Sequence, residues 1–345
     1  MGQNARTITA LGVALLSTVS ATAAHALGTT SHRASWPGAI TIPQVQGHFD
    51  HLGSRMRAGG TEAWHRSQGV LVRAGSPVWV EGRFGYGLGD NRLGDEAVDV
   101  YLRRADTGHW QLLGSTRTAN RSHPIQRADG SMSNETGYVA FHIPNGEQLP
   151  VGLHAVRFVV RGDRTVADSA ISVVTPNARV VVSDVDGTLT EYEHAFGKSI
   201  FGLEHVPAPH PGAAALLRSL ADQGYTIIYM TARPDFFSQA TRQWLSANDF
   251  PAGLVRTLEG SHFGFGGPDG VTYKSRTLRQ LASVLGHPVD IGFGNTITDV
   301  RAYEAGGIPA MHRFFYRYQG DARGGVHHDD YRVLAPRVES MGTNS

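Results

Sequence analysis

Two patterns of apolar residues follow one another along the chain. Between residues 69 and 174, short apolar runs alternate with turn clusters such as Gly89-Asp90-Asn91. Short apolar runs bounded by turn residues predict β-strands. We predict seven strands in this way, at residues 70–72, 78–80, 98–102, 110–113, 138–141, 156–160 and 170–174. Residues 69–175 are therefore expected to form an all-β sandwich.

Beyond Pro176 the apolar runs alternate with stretches of helical spacing. Strands are predicted at residues 179–182, 225–230 and 289–293, and helices at 212–223, 239–247, 274–285 and 299–305. Strands and helices in alternation are typical of an α/β domain with a parallel sheet, whose ligands bind at the carboxyl ends of the strands. We expect this domain at residues 176–325, followed by a solvated tail at 326–345.

The first residues have the pattern of a secretory signal peptide. Arg6 precedes an apolar run at residues 8–19, and small residues flank His25 before an expected cleavage after Ala26. This pattern predicts an exported protein, periplasmic or secreted. Residues 27–68 are rich in Gly, Ser, Thr, Pro and His and predict a linker with one short helix near residues 48–57.

Composition narrows the classes of partner. With 41% hydrophobic residues the chain has enough apolar side chains for two cores. Lys and Arg together number 31 against 30 for Asp and Glu, so no global charge attracts the protein to nucleic acid. The chain has no cysteine and therefore forms no disulfide.

Two carboxylates, Asp184 and Asp186, follow the first strand of the α/β domain directly. Side chains two residues apart on a strand point the same way, and two close carboxylates are costly unless a cation neutralises them. Phosphoryl transfer needs a nucleophile, an acid and such a cation. Gly187 allows a sharp bend after the pair, and Thr188 is suited to hold the turn by hydrogen bonding.

The segment Asp184-Val185-Asp186-Gly187-Thr188 resembles the first motif of haloacid dehalogenase (HAD) superfamily phosphatases, Asp-x-Asp-x-Thr. Further matches follow in the family's order at Thr231, at Lys274 and in the segment 292–299, which contains Asn295 and Asp299. The resemblance implies a Rossmann-like α/β catalytic domain, preceded here by a sandwich whose strand spacing is immunoglobulin-like.

The resemblance also implies roles for these residues. Asp184 is the expected nucleophile, which becomes transiently phosphorylated, and Asp186 the expected acid and base. Thr231 and Lys274 are expected to bind the phosphoryl group. Mg²⁺ is the expected cofactor, and its expected ligands are Asp184, Asp186 through its backbone carbonyl, Asp299 and Asn295.

Within this superfamily, residues 184–190, 224–233 and 293–309 look like the catalytic domain of lipins. Lipins are magnesium-dependent phosphatidate phosphatases, which release diacylglycerol and phosphate. The chain departs from the lipin pattern at Thr231, where lipins have Ser, and at Thr296, where they have Arg. The short intervals between motifs leave no room for a large cap domain, and an open site suits a membrane phospholipid. The expected substrate is therefore phosphatidic acid or a related phosphomonoester.

Other functions fit parts of the same pattern. One is an exported phosphatase for soluble phosphomonoesters. Another is a non-hydrolytic module that binds phosphatidic acid, as in the lipin-like domains of membrane-associated phosphatidylinositol transfer proteins. A third makes the sandwich an adhesion or polymer-binding module. Phe236-Phe237 and the segment 262–265 are candidates either for peripheral membrane contact or for packing against the sandwich.

Overall fold

In this computed structural model the described residues are 36, 47–87, 89–191, 207–258 and 268–341. The predicted signal peptide and the aromatic segment 262–265 lie outside them. A seven-residue helix, α1 (Leu52–Ala58), precedes the first strand. Among the described residues, no helix is both long enough and apolar enough to span a bilayer.

The described residues of the first domain form twelve strands. They are β1 (Arg66–Ser67), β2 (Val70–Arg73), β3 (Trp79–Arg83), β4 (Gly85–Tyr86), β5 (Asn91–Arg92), β6 (Ala97–Arg103), β7 (Trp110–Arg117), β8 (Ile125–Gln126), β9 (Met132–Ser133), β10 (Tyr138–His142), β11 (Gly152–Val160) and β12 (Val166–Val174).

The strands form two main sheets, in the orders β1-β3-β10 and β2-β12-β11-β6-β7, with β4-β5 and β8-β9 as small hairpins. All pairs in the main sheets are antiparallel except β2 with β12.

One apolar core lies between the two sheets. Val80 of β3 and Val139 of β10 pack with Val100 of β6 and Phe158 of β11, and all four side chains are fully buried. Alternate side chains of a strand point to opposite faces, so each strand contributes a row of residues to this core. The predicted β-sandwich is confirmed, and each of the seven predicted strands coincides with an observed one. The immunoglobulin-like type stays a prediction.

In the described part of the second domain, six parallel strands form one sheet, in the order β15-β14-β13-β16-β17-β18. Their bounds are β13 (Val180–Ser183), β14 (Thr226–Pro234), β15 (Leu254–Leu258), β16 (Ile291–Gly294), β17 (Arg313–Tyr316) and β18 (Val326–His328). The described helices are α2 (Ala213–Asp222), α3 (Ser238–Ala247), α4 (Pro268–Leu285), α5 (Ile297–Ala305) and α6 (Tyr331–Met341), with short 3₁₀ turns at Asp235–Phe237 and Ala310–His312.

Helices cover both faces of this sheet. Val181 of β13 packs into a cluster with α2, α3 and α6, whereas its neighbours Val180 and Val182 pack into a second cluster with α4 and α5. A strand that is buried on both faces is apolar at every position, which explains the unbroken apolar run from Val180 to Val182. The predicted α/β domain with a parallel sheet is confirmed.

The expected tail at 326–345 differs from the structure. Residues 326–328 form β18, and α6 buries Tyr331, Leu334 and Val338 on one face. The spacing of these three residues is helical, but the surrounding polar residues and Pro336 conceal it. Tyr331 also donates a hydrogen bond of 2.7 Å to the backbone carbonyl of Thr188. The end of the described chain therefore supports the turn after Asp184.

The two domains join along β15, an edge strand of the parallel sheet. The backbone N–H of Gly69 donates to the carbonyl of Val255, and Arg256 donates to the carbonyl of Gly69. A Cβ at Gly69 would lie 3.0 Å from the Cβ of Leu254, so only glycine fits without a shift. Next to it, Gln68 exchanges hydrogen bonds with Thr257. Residues near 68, expected in a linker, are therefore part of the junction.

Candidate functional site

The predicted site residues gather at the carboxyl ends of three neighbouring strands. Asp184 follows β13, Thr231 lies in the last half of β14, and Asn295 follows β16. Asp299 lies in the first turn of α5, and Lys274 reaches the same edge from the second turn of α4. The parallel sheet brings these residues together because its strands all end at one edge.

Lys274 lies between two carboxylates. Its Nζ donates to Oδ1 of Asp184 and to Oδ1 of Asp299, both at 2.6 Å. All three side chains are buried, with Asp299 fully inaccessible. A buried ammonium with two carboxylate partners is held by strong charge-assisted hydrogen bonds. We call Asp184, Lys274 and Asp299, together with Asp186, the acidic cluster. It contains the predicted nucleophile, Asp184.

Burial and neighbouring charges act on these groups in opposite directions. Burial raises the pKa of Asp184 to about 7, with a smaller rise from the charges of Asp299 and Asp186, while Lys274 opposes the shift. Burial lowers the pKa of Lys274, but the two carboxylates outweigh it and raise that pKa above its usual value. Lys274 is thus firmly cationic, whereas the Asp184 carboxylate still lacks part of the positive charge that would keep it ionised.

Asp186 is bound by an arginine that the sequence analysis did not single out. Nε and Nη2 of Arg233 donate to its two carboxylate oxygens at 2.8 and 2.7 Å, and Thr231 Oγ1 donates to Oδ2 at 3.0 Å. Arg233 is itself buried and also donates to Thr241. Burial raises the pKa of Asp186, but the charge and hydrogen bonds of Arg233 outweigh it and lower the pKa. The available signal was its place two residues after Thr231, on the same face of β14.

Thr188 connects the ends of two strands. Its Oγ1 lies 3.0 Å from Oδ2 of Asp184 and 3.0 Å from Oδ1 of Asn295, so it can donate to either oxygen. The hydroxyl is fully buried. Two oxygen acceptors that share one donor lie close to each other. Thr188 therefore brings a carboxylate and an amide oxygen together at the sheet edge.

Asp299 has a structural role besides its bond to Lys274. Its Oδ2 accepts hydrogen bonds from the backbone N–H groups of Asn295 and Thr296 and from the Thr296 hydroxyl, which closes a capping box at the start of α5. A Cβ at Gly294 would lie 2.4 Å from the Cβ of Asp299. Glycine at this position lets the carboxylate approach the strand end closely.

The oxygen donors suit a hard cation by their chemistry. Three carboxylates, those of Asp184, Asp186 and Asp299, face two cationic side chains, Lys274 and Arg233. Carboxylate, amide and carbonyl oxygens are the ligands that Mg²⁺ prefers. Within the described ranges, no three His, Asp or Glu side chains are already grouped as a metal site. Lys274 holds Oδ1 of both Asp184 and Asp299, which leaves Asp184 Oδ2 and Asn295 Oδ1 as the converging oxygens.

The aromatic side chains of Phe236 and Phe237 lie outside the acidic cluster, near the sandwich domain. Phe236 stacks on Trp64 of the sandwich domain with ring centroids 4.8 Å apart, and Phe237 is buried. Beside them, Arg66 of β1 and Asp235 form a buried ion pair of 2.9 Å. The pair Phe236-Phe237 therefore packs at the domain junction, as one of its two interpretations predicted. The 3₁₀ turn Asp235–Phe237, which directly follows the end of β14, is thereby fixed to the sandwich.

Comparison with known proteins identifies both domains. Residues 63–173 match the family model described as "PITM 1-3, beta-sandwich domain", and residues 181–316 match "PITM 1-3, LNS2 domain". A solved structure titled as a putative HAD-like phosphatase from Mesorhizobium loti covers 49% of this chain and 88% of its own, at 12% identity and a TM-score of 0.35.

Curated relatives are similar over most of this chain. Human membrane-associated phosphatidylinositol transfer protein 2 is 33% identical over 72% of this chain and 16% of its own length. Human membrane-associated phosphatidylinositol transfer protein 3 is 30% identical over 81% of this chain and 26% of its own. The chain thus spans about a quarter or less of these relatives. Their names refer to phosphatidylinositol transfer rather than to hydrolysis.

These relatives contradict the predicted export and support the predicted family resemblance in a coarser form. The prediction of an exported protein, periplasmic or secreted, is wrong, because the matched relatives are named as membrane-associated transfer proteins. The predicted resemblance is confirmed in a coarser form. The chain carries an α/β domain similar to the LNS2 domain of PITM 1-3, preceded by a β-sandwich similar to the one in the same proteins.

Proposed function

We propose that the acidic cluster hydrolyses a phosphate monoester with Asp184 as the nucleophile. One observation carries this proposal: Lys274 holds Oδ1 of a buried Asp184 at 2.6 Å, while Oδ2 bonds only the Thr188 hydroxyl among the described residues. A carboxylate oriented in this way at a sheet edge is suited to in-line attack on phosphorus. The cation beside it screens charge on the transferring group.

Each step of the proposed reaction uses a side chain of this cluster. A carboxylate oxygen of Asp184 forms a bond to phosphorus as the ester oxygen leaves, and Asp186 gives that oxygen a proton. Asp186 then takes a proton from the water that attacks the aspartyl phosphate and releases inorganic phosphate. Lys274 and the hydroxyl of Thr231 bind the phosphoryl oxygens. Asp186 must first take up this proton from solvent, which requires Arg233 to release its two hydrogen bonds, because the ion pair lowers the pKa of Asp186.

Magnesium is the cofactor that we propose for this reaction. Asp184, Asn295 and the backbone carbonyl of Asp186 would hold it, and Asp299, whose two oxygens already accept hydrogen bonds, would add its negative charge. Bound there, it would supply the positive charge that three carboxylates lack and would neutralise charge on the phosphate. The fit rests on oxygen donors and on their charge.

The proposed substrate is phosphatidic acid or a related phospholipid phosphomonoester. The matched relatives are named for phospholipid transfer and membrane association, and the α/β domain has the lipin-like motifs. A phosphate headgroup at the edge of the sheet would meet Lys274 and Thr231. A soluble phosphomonoester would meet the same groups, so the experiment includes one.

A second function, binding of the phosphate headgroup without hydrolysis, is favoured by the ion pair of Asp186 with Arg233. A carboxylate held by two hydrogen bonds to a buried guanidinium is a poor proton donor. In this arrangement Lys274 and Thr231 would still bind a phosphate, while the leaving group would receive no proton. The names of the relatives agree equally with this function.

The test measures phosphate release from phosphatidic acid in mixed micelles and from a soluble phosphomonoester, each with and without Mg²⁺. The variant is Asp184→Asn, and the matched control is Asp321→Asn at an exposed position. We expect Mg²⁺-dependent release from the lipid that falls at least about a thousandfold in Asp184→Asn and is unchanged in the control.

The remaining outcomes separate the alternatives. Faster release from the soluble ester would change the substrate and keep the chemistry. If neither substrate releases phosphate, but wild type and Asp184→Asn both sediment with phosphatidate vesicles, the binding function would be established instead.

A further inference from the structure

A second charged region lies between the two domains, at a cleft of about 300 Å³. Its walls are β11 and β12 of the sandwich on one side and α3 of the α/β domain on the other. None of its lining residues belongs to the acidic cluster. The residues that matter below are Arg103, Leu153, Asp168, Gln239, Arg242 and Gln243.

Arg242 is buried in the wall of this cleft. Its side chain is 8% exposed, and its Nη2 donates to the backbone carbonyl of Ser67 at 2.7 Å. Within the described part of the chain, Nη1 is buried and has no hydrogen-bond acceptor. Burial lowers the pKa of Arg242 to about 10, and the negative charge of Asp168 only partly opposes the shift. A buried guanidinium with a free donor is costly unless an acceptor reaches it.

The neighbouring carboxylate is already paired. Arg157 donates to both oxygens of Asp168, with Nε to Oδ1 at 2.5 Å and Nη2 to Oδ2 at 2.8 Å. This bidentate pair neutralises both partners. Asp168 is therefore not the counter-ion of Arg242.

Arg103 adds a second guanidinium to the same cleft. Its Nε donates to the carbonyl of Gly108 at 2.9 Å, and it forms no ion pair among the described residues. With Asp168 neutralised by Arg157, the described part of the cleft has two guanidinium groups without a carboxylate partner. Such a pair favours a dianion over a single carboxylate, and guanidinium groups match phosphate oxygens bidentately.

The remaining walls fit the rest of an organic molecule. Gln239 and Gln243 of α3 offer amide hydrogen bonds, while Leu153, Ala155 and Trp36 offer apolar surface. The indole N–H of Trp36 donates to the carbonyl of Phe250 at 2.8 Å, which fixes the ring at the edge of α3. The volume is at the lower end of small-molecule sites and about ten times the share of one water molecule, so it holds more than a bare ion.

We propose that this cleft is a second binding site, which takes a phosphate monoester with its phosphate on Arg242 and Arg103. The site is independent of the proposed hydrolysis at Asp184. Its ligand is either the headgroup of a phospholipid or a soluble phosphate ester, because the two share the chemistry that Arg242 recognises. A phosphate bound there would also contact both domains at their junction.

The test is isothermal titration calorimetry of the full chain with inorganic phosphate. The variants are Arg242→Met and Arg103→Met, and the matched control is Arg279→Met, an exposed arginine of α4. We expect wild type and Arg279→Met to bind alike. Arg242→Met should lose one binding site or bind there at least about tenfold more weakly, and Arg103→Met should weaken the same site by about fivefold.

Equal stoichiometry and affinity in wild type and Arg242→Met would overturn the proposal. If circular dichroism shows that Arg242→Met does not fold, Arg103→Met decides, and unchanged binding in that variant overturns the proposal as well.

A competition arm identifies the source of the ligand. Displacement of phosphate from this site by phosphatidate vesicles would assign it to a lipid headgroup, and displacement by glycerol 3-phosphate alone to a soluble ester. Displacement by neither would contradict the proposal. Phosphate release by Arg242→Met is measured in parallel. If wild type releases no phosphate from either substrate but its cleft still binds phosphate, the proposed function is wrong and the second binding site still stands.

Discussion

The acidic cluster and the cleft around Arg242 are both buried and charged, and they differ in the sign of the charge that is left uncompensated. In the cluster, three carboxylates face Lys274 and Arg233. In the cleft, Arg242 and Arg103 face no free carboxylate from the residues that the structure describes. Buried charge is costly in either sign, so the first region favours a cation and the second an anion. The acidic cluster of the α/β domain and the cleft between the domains therefore favour ligands of opposite charge.

The largest expected effect comes from removing the cation of the acidic cluster. Lys274→Met leaves the carboxylates of Asp184 and Asp299 buried without their partner, which should cost about 3–5 kcal/mol of unfolding free energy. Urea denaturation measures it. Arg279→Met on the exposed face of the same helix serves as the control and should change stability by less than about 0.5 kcal/mol. A loss in Lys274→Met no larger than in the control would show that the cluster is not held by charge.

Addition of a cation should act in the opposite direction. At about one hundred times its dissociation constant, Mg²⁺ should stabilise the wild-type protein by about 2.7 kcal/mol, because only the folded state holds the donors together. The change is read as a rise in melting temperature at constant ionic strength. Asp299→Asn should show a smaller rise. An equal rise in that variant would place the cation elsewhere.

The smallest expected effect concerns the cleft. In buffer without phosphate, Arg242→Met replaces an unpaired buried guanidinium by an apolar side chain of similar length and should stabilise the protein by about 1 kcal/mol. The denaturation midpoint measures this effect. Phosphate should reduce the difference, because it stabilises only the wild-type cleft. A destabilisation above about 2 kcal/mol would instead assign Arg242 a structural role through its bond to Ser67.

Sequence periodicity predicted the seven long strands of the sandwich and three strands of the parallel sheet, because it is a local signal, whereas β15, β17 and β18 were not predicted. The alternation along β6 and the unbroken apolar run of β13 each follow from which faces of the strand are buried. The proximity of Asp184, Lys274 and Asp299 was also predictable, because the strands of a parallel sheet all end at one edge.

Pairings between distant side chains were not predictable in this way. The hydrogen bonds of Arg233 to Asp186 and the stacking of Trp64 on Phe236 depend on how separate elements meet in space. Helix α6 was not predicted, because Pro336 and exposed polar residues interrupt its apolar face. The free Nη1 of Arg242 has no signature in the sequence, because burial creates it.

The backbone contact at Gly69 has a consequence for how this protein avoids aggregation. β15 is an edge strand of the six-stranded parallel sheet, and an unpaired edge is a template for strands of other molecules. The hydrogen bond from the Gly69 N–H to the Val255 carbonyl, and those between the Gln68 side chain and the backbone of Thr257, occupy part of that edge. The sandwich domain therefore covers part of the edge of β15. An α/β domain expressed without it would expose this edge to other molecules in solution.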